Sequence, residues 1–200
     1  MVLAFTMIEA VLNLSDAKYL GTPNWRPVAY HYGGFWAGLL HGWEPLYPAQ
    51  RFSMFVSYAF LHAGWYHLLG NVLCLTWLGL QLERVYCAAR FALLFAISAL
   101  GGGIGFGLLA TSSRPMVGAS GAIMGLIAIW IGLEARMMSD EGASRGRTLA
   151  MVATRVILLA ALNLAAWFTE TGGLAWETHL GGFLAAGLAM LLIPALRPGR

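Results

Sequence analysis

The 200-residue chain carries 12 Lys+Arg and 9 Asp+Glu, so charged side chains are only 10% of it, against about a quarter in a soluble domain. Apolar types reach 59% and mean hydropathy is +0.69, more apolar surface than one water-soluble core hides. A net charge of +3 with no basic run argues against nucleic acid as a partner, and two cysteines argue against a disulfide scaffold.

The solvent indicated is a lipid bilayer, and crossing about 30 Å of hydrocarbon takes roughly 20 helical residues. Val2 to Leu14, apolar except for Glu9 and lacking a basic leader, reads as a short or trimmed first span. Asp16 to Gln50 then carries Trp25, Tyr30, Tyr32, Phe35, Trp36, Trp43 and Tyr47, an aromatic density that favours the membrane interface. Phe35, Trp36, Leu39 and Leu40 follow a helical spacing that predicts a partly embedded first loop lying on the bilayer. Ser53 to Leu82, Phe91 to Ser113 and Pro115 to Leu133 contain no charged residue and predict the next three spans. A fifth runs from about Leu149 to Phe168, with Arg155 able to snorkel near one end, and a sixth from about Trp176 to Leu196. The expected fold is an all-α membrane protein, a six-transmembrane-helix bundle occupying residues 1–200 as a single domain.

With six spans, alternate loops collect Arg84, Arg90, Arg136, Arg145, Arg147, Arg155, Arg197 and Arg200 on one side, leaving Lys18, Arg26, Arg51 and Arg114 on the other. The basic-rich side is cytoplasmic by the positive-inside rule, so both termini are expected in the cytoplasm of a cell with the protein in its inner membrane.

Polar side chains inside a span are costly and therefore mark function. His62, His67 and Asn71 fall on the predicted second span, Ser120 opens the fourth within Gly118-Ala119-Ser120-Gly121, and His179 opens the sixth shortly before Gly182. All three spans start from the extracytoplasmic side, so the five residues share the outer half of the bilayer. His67 and Asn71 lie four apart, about 40° around a helix, and share a face. His62 is about 140° from His67 and takes a supporting position. Gly121-x3-Gly125 and the small residues Gly182 and Ala186 let helices approach closely, which would bring Ser120 and His179 into the relation of a nucleophile and its general base. Gly118 and Gly121 leave room for a substrate backbone, and the first amides of the fourth helix can face developing negative charge. No acidic residue lies within the second, fourth or sixth span at the level of Ser120, and Glu177 turns about 160° from His179, so the arrangement is a Ser-His dyad without a triad acid.

Two other readings compete. A metal-dependent membrane enzyme would use His62, His67 and His179 as ligands, since imidazole suits zinc, but their helical phases oppose it and no H-E-x-x-H occurs. A transporter would also use glycine-broken helices, yet the two halves show no repeat.

His62-x4-His67-x3-Asn71, Gly118-Ala119-Ser120-Gly121 and His179-Leu180-Gly181-Gly182, in this order, resemble the motifs of the rhomboid intramembrane serine proteases. Gln50-Arg51 in the first loop and Gly79-x3-Glu83 after the second span extend the resemblance over most of the chain. It implies an endopeptidase without a cofactor or metal, acting on transmembrane protein substrates, with Ser120 as nucleophile and His179 as base. His67, Asn71 and the Ser120 amide would stabilise the oxyanion, with His62 supporting. Two positions depart from the family pattern: Met124, four after the serine, stands where an aromatic is common, and Gln50-Arg51 lacks an intervening tryptophan. Met124 is expected to pack beneath the His179 ring through its sulfur. The aromatic first loop and the fifth helix near Trp167 and Phe168 are candidate walls of the substrate opening. A non-catalytic relative that binds membrane clients is the alternative within the same fold.

Overall fold

The computed structural model describes residues 1–169 and 173–192. Its described residues form eight α-helices: α1 (Val2–Asp16), α2 (Trp25–Gly33), α3 (Gln50–Ser57), α4 (Trp65–Leu82), α5 (Ala88–Leu109), α6 (Ser120–Asp140), α7 (Arg145–Thr169) and α8 (Trp176–Leu192). Two short 3-10 turns, Ala37–Leu40 and Tyr58–Phe60, complete the regular structure. Among the described residues the only extended pairing is an isolated antiparallel bridge between Phe35 and Met116. Ala88–Leu109, Ser120–Asp140 and Arg145–Phe168 are long and apolar enough to cross a membrane. Leu108, Leu162, Leu188 and Leu191 are exposed, as suits an apolar solvent around the bundle.

α8 is wedged between α5 and α6, and glycines make the wedge possible. A Cβ on Gly182 would lie 1.9 Å from the Gly121 carbonyl oxygen, and one on Gly105 would lie 2.5 Å from the Glu177 carbonyl oxygen. No other residue type permits such backbone approach, which is the small-residue packing that membrane helices use in place of a hydrophobic drive. Leu78, Leu82, Leu94, Leu126 and Ile129 fill the adjoining core completely. α7 packs mainly on α6 and stands apart from α8.

The sequence expectations need three corrections. The predicted second span, Ser53 to Leu82, is divided: α3 and a 3-10 turn come first, the chain runs extended from Leu61, and α4 begins only after Gly64 at φ +93°. His62 therefore lies in the connection before α4 and not on the helix. The Phe35–Leu40 stripe is not a bilayer-lying helix either. Phe35 and Leu39 point into the protein core, because the Phe35–Met116 bridge takes the backbone hydrogen bonds that a helix would use. Of the predicted sixth span, the part beyond Leu192, with Arg197 and Arg200, lies outside the described residues.

Candidate active site

The segment before α6 is fixed from two sides. Phe35 and Met116 exchange backbone hydrogen bonds of 2.9 Å, and the Gly118 amide donates to the Tyr58 carbonyl at 2.9 Å. Gly118 has φ +120°, a region L side chains rarely adopt, and a Cβ there would stand 2.6 Å from Cε1 and 2.8 Å from Nε2 of His67. Glycine is thus required twice, by backbone conformation and by the imidazole packed above it. The turn delivers Ser120 as the first residue of α6, where helix amides have no intrahelical acceptor and face outward as donors.

His179 comes from the first turns of α8 and is 8% exposed. Its Nε2 is 2.8 Å from Ser120 Oγ, across 59 residues of sequence. The close approach of Gly121 to Gly182 sets this distance. On its other edge, His179 Nδ1 hydrogen-bonds Asn163 Oδ1 from α7. Met124, His179 and Asn163 border one cavity of about 600 Å3, walled further by Leu159, Trp167 and Trp176.

The ends of α4, α6 and α8 meet here. The Ala63 amide donates to His67 Nδ1 at 3.2 Å, which leaves the His67 proton on Nε2, the atom above Gly118. Asn71 is buried, and its Nδ2 donates to the His67 carbonyl at 2.8 Å. That bond uses one of the two amide protons. His62 is fully buried, packs edge to face against His67 with ring centroids 5.4 Å apart, and also lies against Phe5. Its role is in the wall behind His67. Among the described residues no group of His, Cys, Asp or Glu could hold a metal ion, so the three histidines do not form a ligand set.

Two participants were missed from sequence. Asn163 is the one strongly polar side chain between Arg155 and Phe168, and the rule that marks Asn71 marks it equally. Arg26 pairs with the fully buried Glu9 at 2.8 Å and with Asp16 at 2.6 Å. Its Nη1 also donates to the His62 carbonyl at 2.9 Å, alongside the Tyr30 hydroxyl at 2.7 Å. Burial pushes the Tyr30 phenol up, so it stays a donor. Through these bonds α1 and α2 hold the stretch that leads into α4. No spacing in the sequence relates Arg26 to Glu9; only the fold does.

The Rhomboid domain matches residues 49–195, and the chain belongs to that family. It is 32% identical over 143 residues to RHOMBOID-like protein 5 of Arabidopsis thaliana, covering 70% of this chain and 44% of that protein. RHOMBOID-like protein 2 of the same plant is 36% identical over 112 residues, 56% of this chain and 29% of its own. Rhomboid protease GluP of Bacillus subtilis (strain 168) is 32% identical over 136 residues, 63% of this chain and 24% of that protein. The chain thus spans less than half the length of these relatives. Rhomboids are in general intramembrane serine proteases acting on transmembrane substrates, and this chain is a membrane protein of that family.

Proposed function

We propose that the chain is an intramembrane serine endopeptidase that cuts transmembrane helices near the outer membrane face with a Ser120–His179 dyad. The observation that carries the reading is the 2.8 Å contact of Ser120 Oγ with His179 Nε2, made between two different helices. In the reaction Ser120 Oγ attacks the scissile carbonyl carbon while His179 Nε2 takes its proton. The same proton then goes to the leaving amine as the C–N bond breaks, and water, deprotonated by His179, releases the acyl group from Ser120. The Ser120 amide, His67 Nε2–H and the second Asn71 amide proton supply donors for the oxyanion. Gly118 and Gly121 do not leave the room for a substrate backbone that the sequence suggests: a Cβ on Gly118 would stand 2.6 Å from the His67 ring and one on Gly121 2.4 Å from Thr178 Oγ1, so both glycines seat neighbouring protein groups.

α1 and α4 to α8 are the six spans in this reading. Both termini are cytoplasmic, and the site opens to the extracytoplasmic side of the inner membrane. No cofactor takes part, and residues 1–200 form one domain. Substrates are single-pass helices with small or helix-breaking residues near their outer ends, which unwind at low cost.

Labelling with a fluorophosphonate tests the reading directly. Wild-type protein in detergent is expected to be modified at Ser120, and Ser120→Ala, still folded, to be neither labelled nor active. Equal labelling of the two, or cleavage by the alanine variant, overturns the nucleophile. A client-binding relative without activity would show no labelling at all.

A further inference from the structure

We propose that Asn163 on α7 is the positioning residue of the general base, fixing both the tautomer and the ring orientation of His179. The inference rests on the dyad reading above and extends it to a helix that contributes nothing else to the reacting groups.

The argument follows from proton positions. Asn163 Nδ2 donates to the Leu159 carbonyl one turn back at 2.9 Å, so the amide cannot turn its nitrogen toward His179 without setting two carbonyl oxygens against each other. Its oxygen therefore faces the imidazole, where it meets Nδ1. An amide oxygen only accepts. Nδ1 must then carry the proton, and Nε2 presents a bare lone pair to the Ser120 hydroxyl 2.8 Å away. This is the tautomer a general base needs, and the opposite one would leave Ser120 facing an N–H.

The surroundings explain the use of an amide. Among the α7 residues bordering the cavity, Val156, Leu159, Ala160, Leu164 and Trp167 are apolar, and Asn163 alone is polar. A neutral amide dipole orients the ring in this apolar lining without adding a second charge beside it. When His179 takes the proton from Ser120, the Nδ1–H bond to Asn163 becomes charge-assisted and strengthens, so the stabilisation falls in the transition state and not on substrate binding.

Three variants separate positioning from packing. Asn163→Leu keeps the volume and removes the acceptor, Asn163→Ala removes both, and Asn163→Asp keeps an acceptor oxygen. With a fluorogenic peptide of one membrane-spanning helix as substrate, Asn163→Leu and Asn163→Ala are expected to lower kcat about tenfold to a hundredfold, the worth of one charge-assisted hydrogen bond. KM should stay within about twofold, and Asn163→Asp should recover most of kcat. Fluorophosphonate labelling of Ser120 should slow in parallel with kcat. Asn163→Leu within twofold of wild type, or Asn163→Asp no faster than Asn163→Leu, overturns the positioning role while leaving the dyad intact. Wild-type protein that is not labelled at Ser120 removes the dyad, and the positioning role with it.

Discussion

α8 and α7 enter the site from neighbouring directions but are held by opposite means. Along α8, Gly181 and Gly182 sit backbone to backbone against Gly105 and Gly121, and Ala185 closes on Gly101. α7 instead faces α8 across the cavity, and none of its apolar window is buried, compared with 56% for that of α5. The difference teaches where geometry is set. On the proposed reading the nucleophile and base both belong to the seam, where helix backbones touch and close packing resists displacement, whereas the loosely held helix provides space, together with the Asn163 tether.

The seam side gives the largest effects. On the proposed reading Asn71→Ala removes an oxyanion donor from the first turns of α4, and turnover should fall about a hundred- to a thousandfold. A change below threefold, measured as kcat on the same peptide, would move Asn71 out of the site. His62→Ala should be milder, because that ring only backs His67; a loss as complete as that of Ser120→Ala would place it among the reacting groups. Gly182→Ala strikes the seam itself, since the new Cβ collides with the Gly121 carbonyl. Overpacking of about 1–3 kcal/mol corresponds to a fall in Tm of roughly 2–12 °C for a chain of this size. Activity should drop with it as Ser120 and His179 separate. On α7, Leu162→Ala, at a lipid-facing position 57% exposed, should leave Tm and kcat unchanged, and a fall matching that of Gly182→Ala would erase the contrast between the helices.

The same contrast explains what the sequence could express. Ser120, His179, His67 and Asn71 were readable because a membrane span makes each polar group expensive and hence conspicuous, and because glycines announce close contact. The division of the second predicted span was not readable. Ser53 to Leu82 holds no charged residue, so hydropathy sees one continuous stretch, and the break at Gly64 is a backbone property. Phe35 and Leu39 carry a spacing compatible with a surface helix, yet long-range pairing with Met116 overrides it. Arg26 looked like a loop cation because its partner Glu9 lies 17 positions away on another helix. Asn163 was visible in principle, but a lone neutral amide also bonds to its own helix, as it does here to Leu159, and only the fold adds the second bond to His179.

At its far end α7 is fastened more firmly. Arg155 bonds both carboxylate oxygens of Glu134 on α6, at 2.6 and 3.0 Å, and lies 4.6 Å over the Trp130 ring, which in turn meets Trp77 of α4 edge to face. The pair is a third exposed, so its bidentate geometry and the ring together are worth of order 1 kcal/mol. Arg155→Leu should lower Tm by about 2–4 °C and speed hydrogen exchange along α7 while α5 and α8 keep their protection. Equal loss of protection on α8 would mean that the seam depends on this latch after all.

The smallest expected effect provides a probe of the seam from outside the membrane. Cys87 caps α5 and Cys74 lies on α4, both exposed. The Arg90 amide, one of the outward-facing donors of the first α5 turn, holds the Cys87 thiol below its ordinary value. A lowered thiol pKa means a larger thiolate fraction at pH 7, so iodoacetamide should modify Cys87 a few-fold faster than it modifies a free cysteine in the same buffer, with the advantage shrinking as pH rises and the free thiol ionises too. The advantage exists only while the first turn of α5 is formed. In Gly182→Ala, disturbance of the seam that reaches the end of α5 should erase it, whereas in Leu162→Ala it should persist; a Cys87 rate that ignores both substitutions would show that the tight packing stops short of that turn.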